Sequence, residues 1–426
     1  MLTGRARRPR GRSLLAIAAL AITLAVAACG GSGSSKSTTS TNTGGGTTAA
    51  RSPTGSPLKI GALINVSGPT TTGEENAPPV LEGWAREINA QGGIAGHPVE
   101  IDVVDTKGDA PTATAAVQRL ASDQGVVAVV LYDASTEGVV ARAITQAGLP
   151  VIGGIGYNPT AWGVLPNWLP IATSFPAVID MGMVLGKQAG ATKTVFPVCS
   201  ENSSCGAAGP LAGKASKALG MAYAGTLPVS VSSPDYTAQC LKIKSDGVDY
   251  VMLGLTTEAS FRLVRDCRTQ GYNGKWGLFD GSVWPKVMQQ NDPGVPVQIA
   301  ISAFPWYVND APVAAYRDLM GKAGVSQDNW GSPQGTAAYA TMQLFKKALE
   351  GGTLPAAPTR RDVIAAYGSI RGETLGGLLP QPITFTPNKP EPLVNCFWTA
   401  VYDHGTFSGT TLARPTCDPP EVLGAK

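Results

Sequence analysis

Few side chains in this 426-residue sequence carry reactive chemistry, and the most suggestive group follows a run of apolar residues. Residues 126–131 are continuously apolar, and Asp133-Ala134-Ser135-Thr136 comes directly after them. Hydroxyls and free N–H groups where a buried strand gives way to a helix are suited to holding a small anion or zwitterion. The same Ser135 and Thr136 equally suit a helix cap, and both readings stand at this point. Covalent chemistry has less to draw on. The chain has two histidines, His97 in a surface-type turn and His404 in an Asp-His-Gly turn, so a Ser-His or Cys-His couple is poorly supplied. The folded body carries no G-x-S-x-G elbow, no phosphate-binding G-x-x-x-x-G-K-[ST] and no H-E-x-x-H. Gly153-Gly154-Ile155-Gly156 lacks the third spaced glycine of a dinucleotide loop. A pair of carboxylates of the glycosidase kind is the catalytic arrangement that stays open, and the chain reads as a non-enzyme without metal or cofactor.

The elements that must position the 133–136 segment alternate between strand and helix. Residues 58–64 read as a strand, followed by a Ser67-Gly68-Pro69 turn and a helix in which Val80, Trp84 and Ile88 share a face, with Asn76 as its cap. A strand over 99–105, a helix near 112–124, the apolar run and a helix with Val139, Val140 and Ile144 come next, then a strand from Leu149. This order predicts an α/β fold with a doubly wound parallel sheet. A second α/β unit begins after Pro170, with strands over 194–198, 223–229 and 248–254. Its third strand is followed by Thr256-Thr257-Glu258 and a helix, repeating the earlier pattern, so the two units present facing edges. Further on, 298–302 reads as a strand, 335–350 and 361–367 as helices, and 383–385 and 395–402 as terminal strands.

The ends set the compartment. Five arginines precede an apolar core over 14–26, too short for the ~20 residues that span a bilayer, and Leu24-Ala25-Val26-Ala27-Ala28-Cys29 follows. We read 1–28 as a secretory signal and Cys29 as the lipidated residue of the mature chain. Removing those five arginines takes the formal charge from +3 to −2, so the apparent basicity belongs to the signal, and nucleic acid is excluded as a partner. Residues 29–57 are a Gly/Ser/Thr-rich tether with a reach of roughly 30 Å. Six cysteines remain, and pairing of sequence neighbours (Cys199 with Cys205, Cys240 with Cys267, Cys396 with Cys417) is the simplest scheme.

The segment Glu87-Ile88-Asn89-Ala90-Gln91-Gly92-Gly93-Ile94-Ala95-Gly96-His97-Pro98-Val99-Glu100-Ile101 resembles the INxxGGIxGxxVEL signature of the leucine/isoleucine/valine-binding family of type I periplasmic binding proteins. Ser67-Gly68-Pro69 resembles the family too. Turn geometry alone accounts for Gly92, Gly93 and Gly96. The resemblance implies two doubly wound parallel-sheet lobes joined by a three-strand hinge, with lobe 1 from 58–172 and 304–378 and lobe 2 from 173–303 and 379–420. It implies a monomeric, lipid-anchored receptor on the outer face of the bacterial cytoplasmic membrane, which closes on a small solute and presents it to an ABC permease. A sensor or adhesion-type lipoprotein of the same fold is the alternative. The ligand site it implies comprises Ser67, Ala134, Ser135, Thr136, Ile155 and Tyr157 on one lobe and Thr256 and Asp280 on the other. Tyr132, Tyr157, Trp162, Trp284 and Trp306 are candidates to line the pocket. The family's usual groups are replaced at Thr72-Gly73, Tyr157 and Asp280, so an amide or aromatic acid fits as well as an amino acid.

Overall fold

A computed structural model describes residues 53–423 except 70, 72 and 202, and the side chains of 203–205 and 207 are not described. The signal, Cys29 and nearly all of the tether lie outside the described residues.

The first sheet contains β1 (Leu58–Ile64), β2 (Val99–Asp105), β3 (Val126–Tyr132) and β4 (Val151–Gly154), all parallel, in the order β2-β1-β3-β4. Between them run α1 (Ala77–Ala90), α2 (Ala110–Ser122) and α3 (Glu137–Gln146). Every residue of β3 is buried, and its side chains divide between two apolar clusters. Val127, Val130 and Tyr132 face the main core, whereas Val126, Val129 and Leu131 join Leu120, Ile144, Trp162 and Trp168. Burial on both faces is the cause of its unbroken apolar sequence.

The second lobe repeats the winding. α4 (Phe175–Gln188) leads to β5 (Lys193–Cys199), α5 (Ser203–Ala218), β6 (Ala222–Val229), α6 (Thr237–Ser245), β7 (Tyr250–Leu253), α7 (Thr257–Thr269) and β8 (Lys275–Leu278). After α8 (Pro285–Gln290) comes β9 (Val297–Ile301), and these five strands pair in parallel in the order β9-β8-β7-β5-β6. The chain returns to the first sheet through α9 (Ala311–Lys322), α10 (Gln327–Trp330), α11 (Pro333–Glu350) and α12 (Arg360–Tyr367). α11 packs on α1 and β4, and α12 on β3. It then adds β10 (Cys396–Asp403) antiparallel to β9, with β11 (Thr406–Ser408) and β12 (Thr416–Cys417) beyond, before α13 (Pro420–Leu423). The second sheet is therefore parallel with an antiparallel edge.

Three crossings join the lobes and are tied at one buried side chain. The Thr173 hydroxyl donates to the carbonyls of Ser302 (3.3 Å) and Cys396 (2.7 Å), and Ser174 N donates to Val394 O. Disulfides Cys240–Cys267, between α6 and α7, and Cys396–Cys417, between β10 and β12, form as expected. Cys199 is also disulfide-bonded, while the Cys205 side chain is outside the described residues.

Three expectations need correction. Residues 383–385 make a single bridge, Ile383 with Glu373, and Phe385 packs on Tyr367 of α12 instead of entering a sheet. His97 is buried, its Nδ1 2.8 Å from Ser56 O, because the Gly55-Ser56 segment lies over its ring. At Gly93, φ is +73° and a Cβ would lie 2.1 Å from His97 O, so glycine is required there by geometry. Asn76 makes no capping bond; it ends a short 3-10 turn, Glu74–Asn76, that runs into α1.

One long-range tie was not visible in the pattern. The Arg360 guanidinium donates to Val126 O at the start of β3, to Leu120 and Ala121 O in the last turn of α2 and Asp123 O just after it, and to Ala147 O after α3, at 2.9–3.3 Å. These are carbonyls that the helix ends and the strand entry leave without internal partners. Arg360→Leu should destabilise the protein by about 2–4 kcal/mol, read as a lower denaturation midpoint with unchanged slope.

Candidate functional site

The β3–α3 loop is held from within. The Asp133 carboxylate, almost fully buried, accepts from Thr106 Oγ1 (2.6 Å), Ser135 N (3.0 Å), Thr136 N (3.2 Å) and the Thr136 hydroxyl. An internal carboxylate thus takes donors that a ligand carboxylate would otherwise meet. Thr136 is buried, whereas Ala134 and Ser135 are half-buried at the loop's edge. Ser67 is exposed and its hydroxyl donates to Asp105 at 2.6 Å. Asp105 also accepts Val66 N, Ser67 N and Lys107 N, and these bonds hold its carboxyl below the usual range against the opposing effect of burial.

The β4 loop reaches furthest toward the other lobe. Ile155 is buried and its N–H donates to Leu131 O. Tyr157 sets its ring between Phe175 and Phe279, with centroids 5.7 and 5.6 Å away. Its buried hydroxyl, without a hydrogen bond of good geometry, lies where a Cβ on Gly281 would be 3.1 Å off. Burial, then the nearby Asp280, Glu74 and Glu137 carboxyls, push this phenol well above its ordinary pKa. The Tyr157 backbone is held by Glu137, whose carboxylate accepts Tyr157 N (3.0 Å), Asn158 N (2.7 Å) and Trp162 Nε1 (3.2 Å).

The second-lobe edge is built on β7, β8 and β9. Thr256 caps α7, its hydroxyl accepting Ala259 N at 3.4 Å. Asp280 opens a 3-10 turn, Asp280–Ser282, and accepts Ser302 N (2.8 Å) and Ser302 Oγ (2.7 Å). Burial raises the Asp280 carboxyl to about 6, with the Ser302 bonds opposing. Trp284 follows, and its Nε1, like Asn76 Nδ2 across from it in sequence, is buried without a partner. α11 touches both 3-10 turns, and a Cβ at Gly73 would meet Gln334 and Asn76.

Of the aromatic candidates, the structure brings Tyr157 against the opposite lobe. Tyr132 lies in the core, Trp162 packs edge-on against Trp168, and Trp306 joins Tyr307 and Phe407. Phe175, Phe279, Ser302, Glu137 and Gln334 were not singled out in sequence, and Asn76 was read only as a helix cap. A phenylalanine at a helix start just past a predicted lobe crossing was the available signal for Phe175. Among the described residues there is no cluster of metal-ligating side chains, and no helix is long and apolar enough to cross a membrane.

The profile of the periplasmic binding protein family matches residues 57–406. The chain belongs to that family. Its members bind small molecules, and two lobes with repeated winding are the type I form. A fatty acid ABC transporter substrate-binding protein from Thermomonospora curvata superposes with TM-score 0.70 at 16% identity, covering 86% of this chain and 94% of that chain. A solute-binding protein of an ABC transporter from Rhodopseudomonas palustris, in complex with p-hydroxybenzoic acid, gives 0.69 at 18%, covering 86% and 98%. A leucine-binding protein from Thermotoga maritima gives 0.67 at 14%, covering 82% and 97%. At these identities the likeness speaks to the fold. A search of curated protein sequences finds no match.

The lobes also meet through an exposed ion pair, Lys286 of α8 with Asp328 of α10 at 3.0 Å. Asp328→Ala should shift the lobes toward the open arrangement by at most about 1 kcal/mol, and the effect should vanish in 1 M salt, as read by small-angle scattering. Asp280 supplies a pH signature. Its folded pKa of about 6 lies above an unfolded value near 4, so the native state binds more protons between these values and stability falls as pH rises through that window. The loss is roughly 2–3 kcal/mol, and the difference in denaturation midpoint between wild type and Asp280→Asn across pH 4–7 isolates it.

Proposed function

We propose that this protein is an extracytoplasmic solute receptor of an ABC importer, anchored through lipidated Cys29, that closes its two lobes on an amino acid, an amide or an aromatic acid. It acts as a monomer, without cofactor or catalytic step. The observation that carries the reading is the meeting of Tyr157, from the first lobe, with Phe175, Phe279 and the Asp280-Gly281 backbone of the second. A solute lying between these edges touches both lobes, so its binding free energy favours the closed state, and a permease can distinguish closed from open. Buried donors without internal partners, at Asn76 Nδ2 and Trp284 Nε1, support the reading because such groups are costly unless something accepts from them. Ala134, Ser135 and Thr256 form the polar margin of the same cleft, with Ser67, Tyr132, Thr136 and Ile155 behind it.

Closure begins from a hinge with three strands, so the change is a rotation about Thr173 and its two carbonyl partners. A panel of amino acids, amides and aromatic acids, including L-leucine and 4-hydroxybenzoate, should contain solutes that raise the melting temperature of the body from residue 58. At a hundredfold excess over Kd the expected stabilisation is about 2.7 kcal/mol. Tyr157→Phe should weaken that binding roughly five- to tenfold by removing one hydrogen bond. The reading fails if no solute shifts melting, or if Tyr157→Phe, Ser135→Ala and Asp280→Ala all bind as wild type does.

A further inference from the structure

Glu137 is the first residue of α3 and is fully buried, and among the described residues it forms no ion pair. Its carboxyl oxygens accept three N–H groups: Oε2 takes Tyr157 N and Asn158 N, and Oε1 takes the Trp162 indole. The 155–161 segment belongs to no strand or helix, so these two backbone donors depend on Glu137. The same loop is seated against α3, for a Cβ added at Gly138 would lie 2.4 Å from Asn158 Nδ2. The next atoms outward from the clamped backbone are the Tyr157 ring, between Phe175 and Phe279, and its hydroxyl by Gly281.

We infer that Glu137 is a positioning residue for the cleft: it touches no solute, but clamps the Tyr157-Asn158 backbone to the start of α3 and so sets where Tyr157 meets the second lobe. The inference rests on the cleft reading for its consequence in solute affinity, and on geometry alone for the clamp. Above its pKa of about 8 the ionised carboxyl suits this seat, and exchange and fluorine spectra are therefore recorded above that pH. Three donors converge on two oxygens, and a carboxylate offers acceptors without a competing N–H. In Glu137→Gln the amide oxygen can take the two backbone N–H groups, but the amide NH2 is then turned toward the Trp162 indole N–H, donor against donor. Trp162→Phe removes that donor.

The electrostatics provide a second mark of the same contact. Burial raises the Glu137 carboxyl to about 8, the three N–H donors pull it down, and Asp133, the other carboxyl facing it, pushes it up. Asp133 is itself held by Thr106 and Thr136, and Tyr157 is the phenol on the clamped loop.

The test needs no ligand. Amide hydrogen exchange is measured at Tyr157 and Asn158, with 3-fluorotyrosine reporting the ring at 157 and the indole N–H resonance of Trp162 followed against pH. Glu137→Gln should speed exchange at these two amides about tenfold, with β3 unchanged, and shift the fluorine resonance of Tyr157. The Glu137→Gln/Trp162→Phe variant should recover both, which a loss of general stability would not produce. In wild type the Trp162 indole should titrate with a midpoint near pH 8, and in Glu137→Gln it should not. The inference is overturned if Tyr157 and Asn158 stay protected in Glu137→Gln, or if the double variant is no better than the single. Where L-leucine or 4-hydroxybenzoate binds, affinity should fall about tenfold in Glu137→Gln and return in the double variant; unchanged affinity alongside faster exchange would overturn the positioning role. Failure of every solute to bind wild type would count against the cleft reading, and the exchange and fluorine results would still decide the clamp.

Discussion

A strand buried on both faces imposes a strict condition at its ends, because polar groups there have no water to turn to. β3 is such a strand, and the chain meets the condition with charged side chains from other elements. At its entry Arg360 gathers carbonyls from β3 and from the ends of α2 and α3. At its exit Asp133 gathers the donors of its own loop, and Glu137, one turn on, gathers those of the β4 loop. These three side chains tie β3 to α2, α3, α12 and the β4 loop.

The same condition shapes what the cleft can do. Donors at the start of α3 that suit an anion are engaged by Asp133, and the first-lobe side chain that reaches the ring of Phe279, next to the Asp280 turn, is Tyr157. Aromatic rings and buried carboxyls, more than loop hydroxyls, thus meet at the centre. The lobes meet through a ring set between two others, Trp306 and Tyr307 against Phe407, one exposed ion pair and a triple crossing tied at Thr173, and the main apolar cluster runs through both.

Most of the framework was legible in the chain. The apolar run before Asp133, the spacing of Val80, Trp84 and Ile88, and the glycines at 92, 93 and 96 each correspond to the element expected of them. Where reading failed, a neighbour overrode local preference. Ile383 and Phe385 have strand-forming side chains, but Tyr367 and Glu373 capture them one at a time. His97 looked like a surface turn residue until the preceding segment at Ser56 covered it. α9 carries no strong apolar stripe and went unseen, while three of its residues, Val313, Tyr316 and Met320, are buried.

The sequence by itself determined most of the strands and helices and the apolar face each presents, because periodicity and the need for positive φ at glycine are properties of neighbouring residues. Only the tertiary structure decided which polar group serves which. Arg360 lies 234 residues from Val126, and Glu137 lies 20 from the Tyr157 amide it holds. A hydrogen bond depends on a few tenths of an ångström between segments, and that distance exists only once the sheet has set the spacing of β3 and β4. Ser135 and Thr136 could be named as polar loop residues from the chain alone; that Asp133 already holds their amides is a fact of the folded loop.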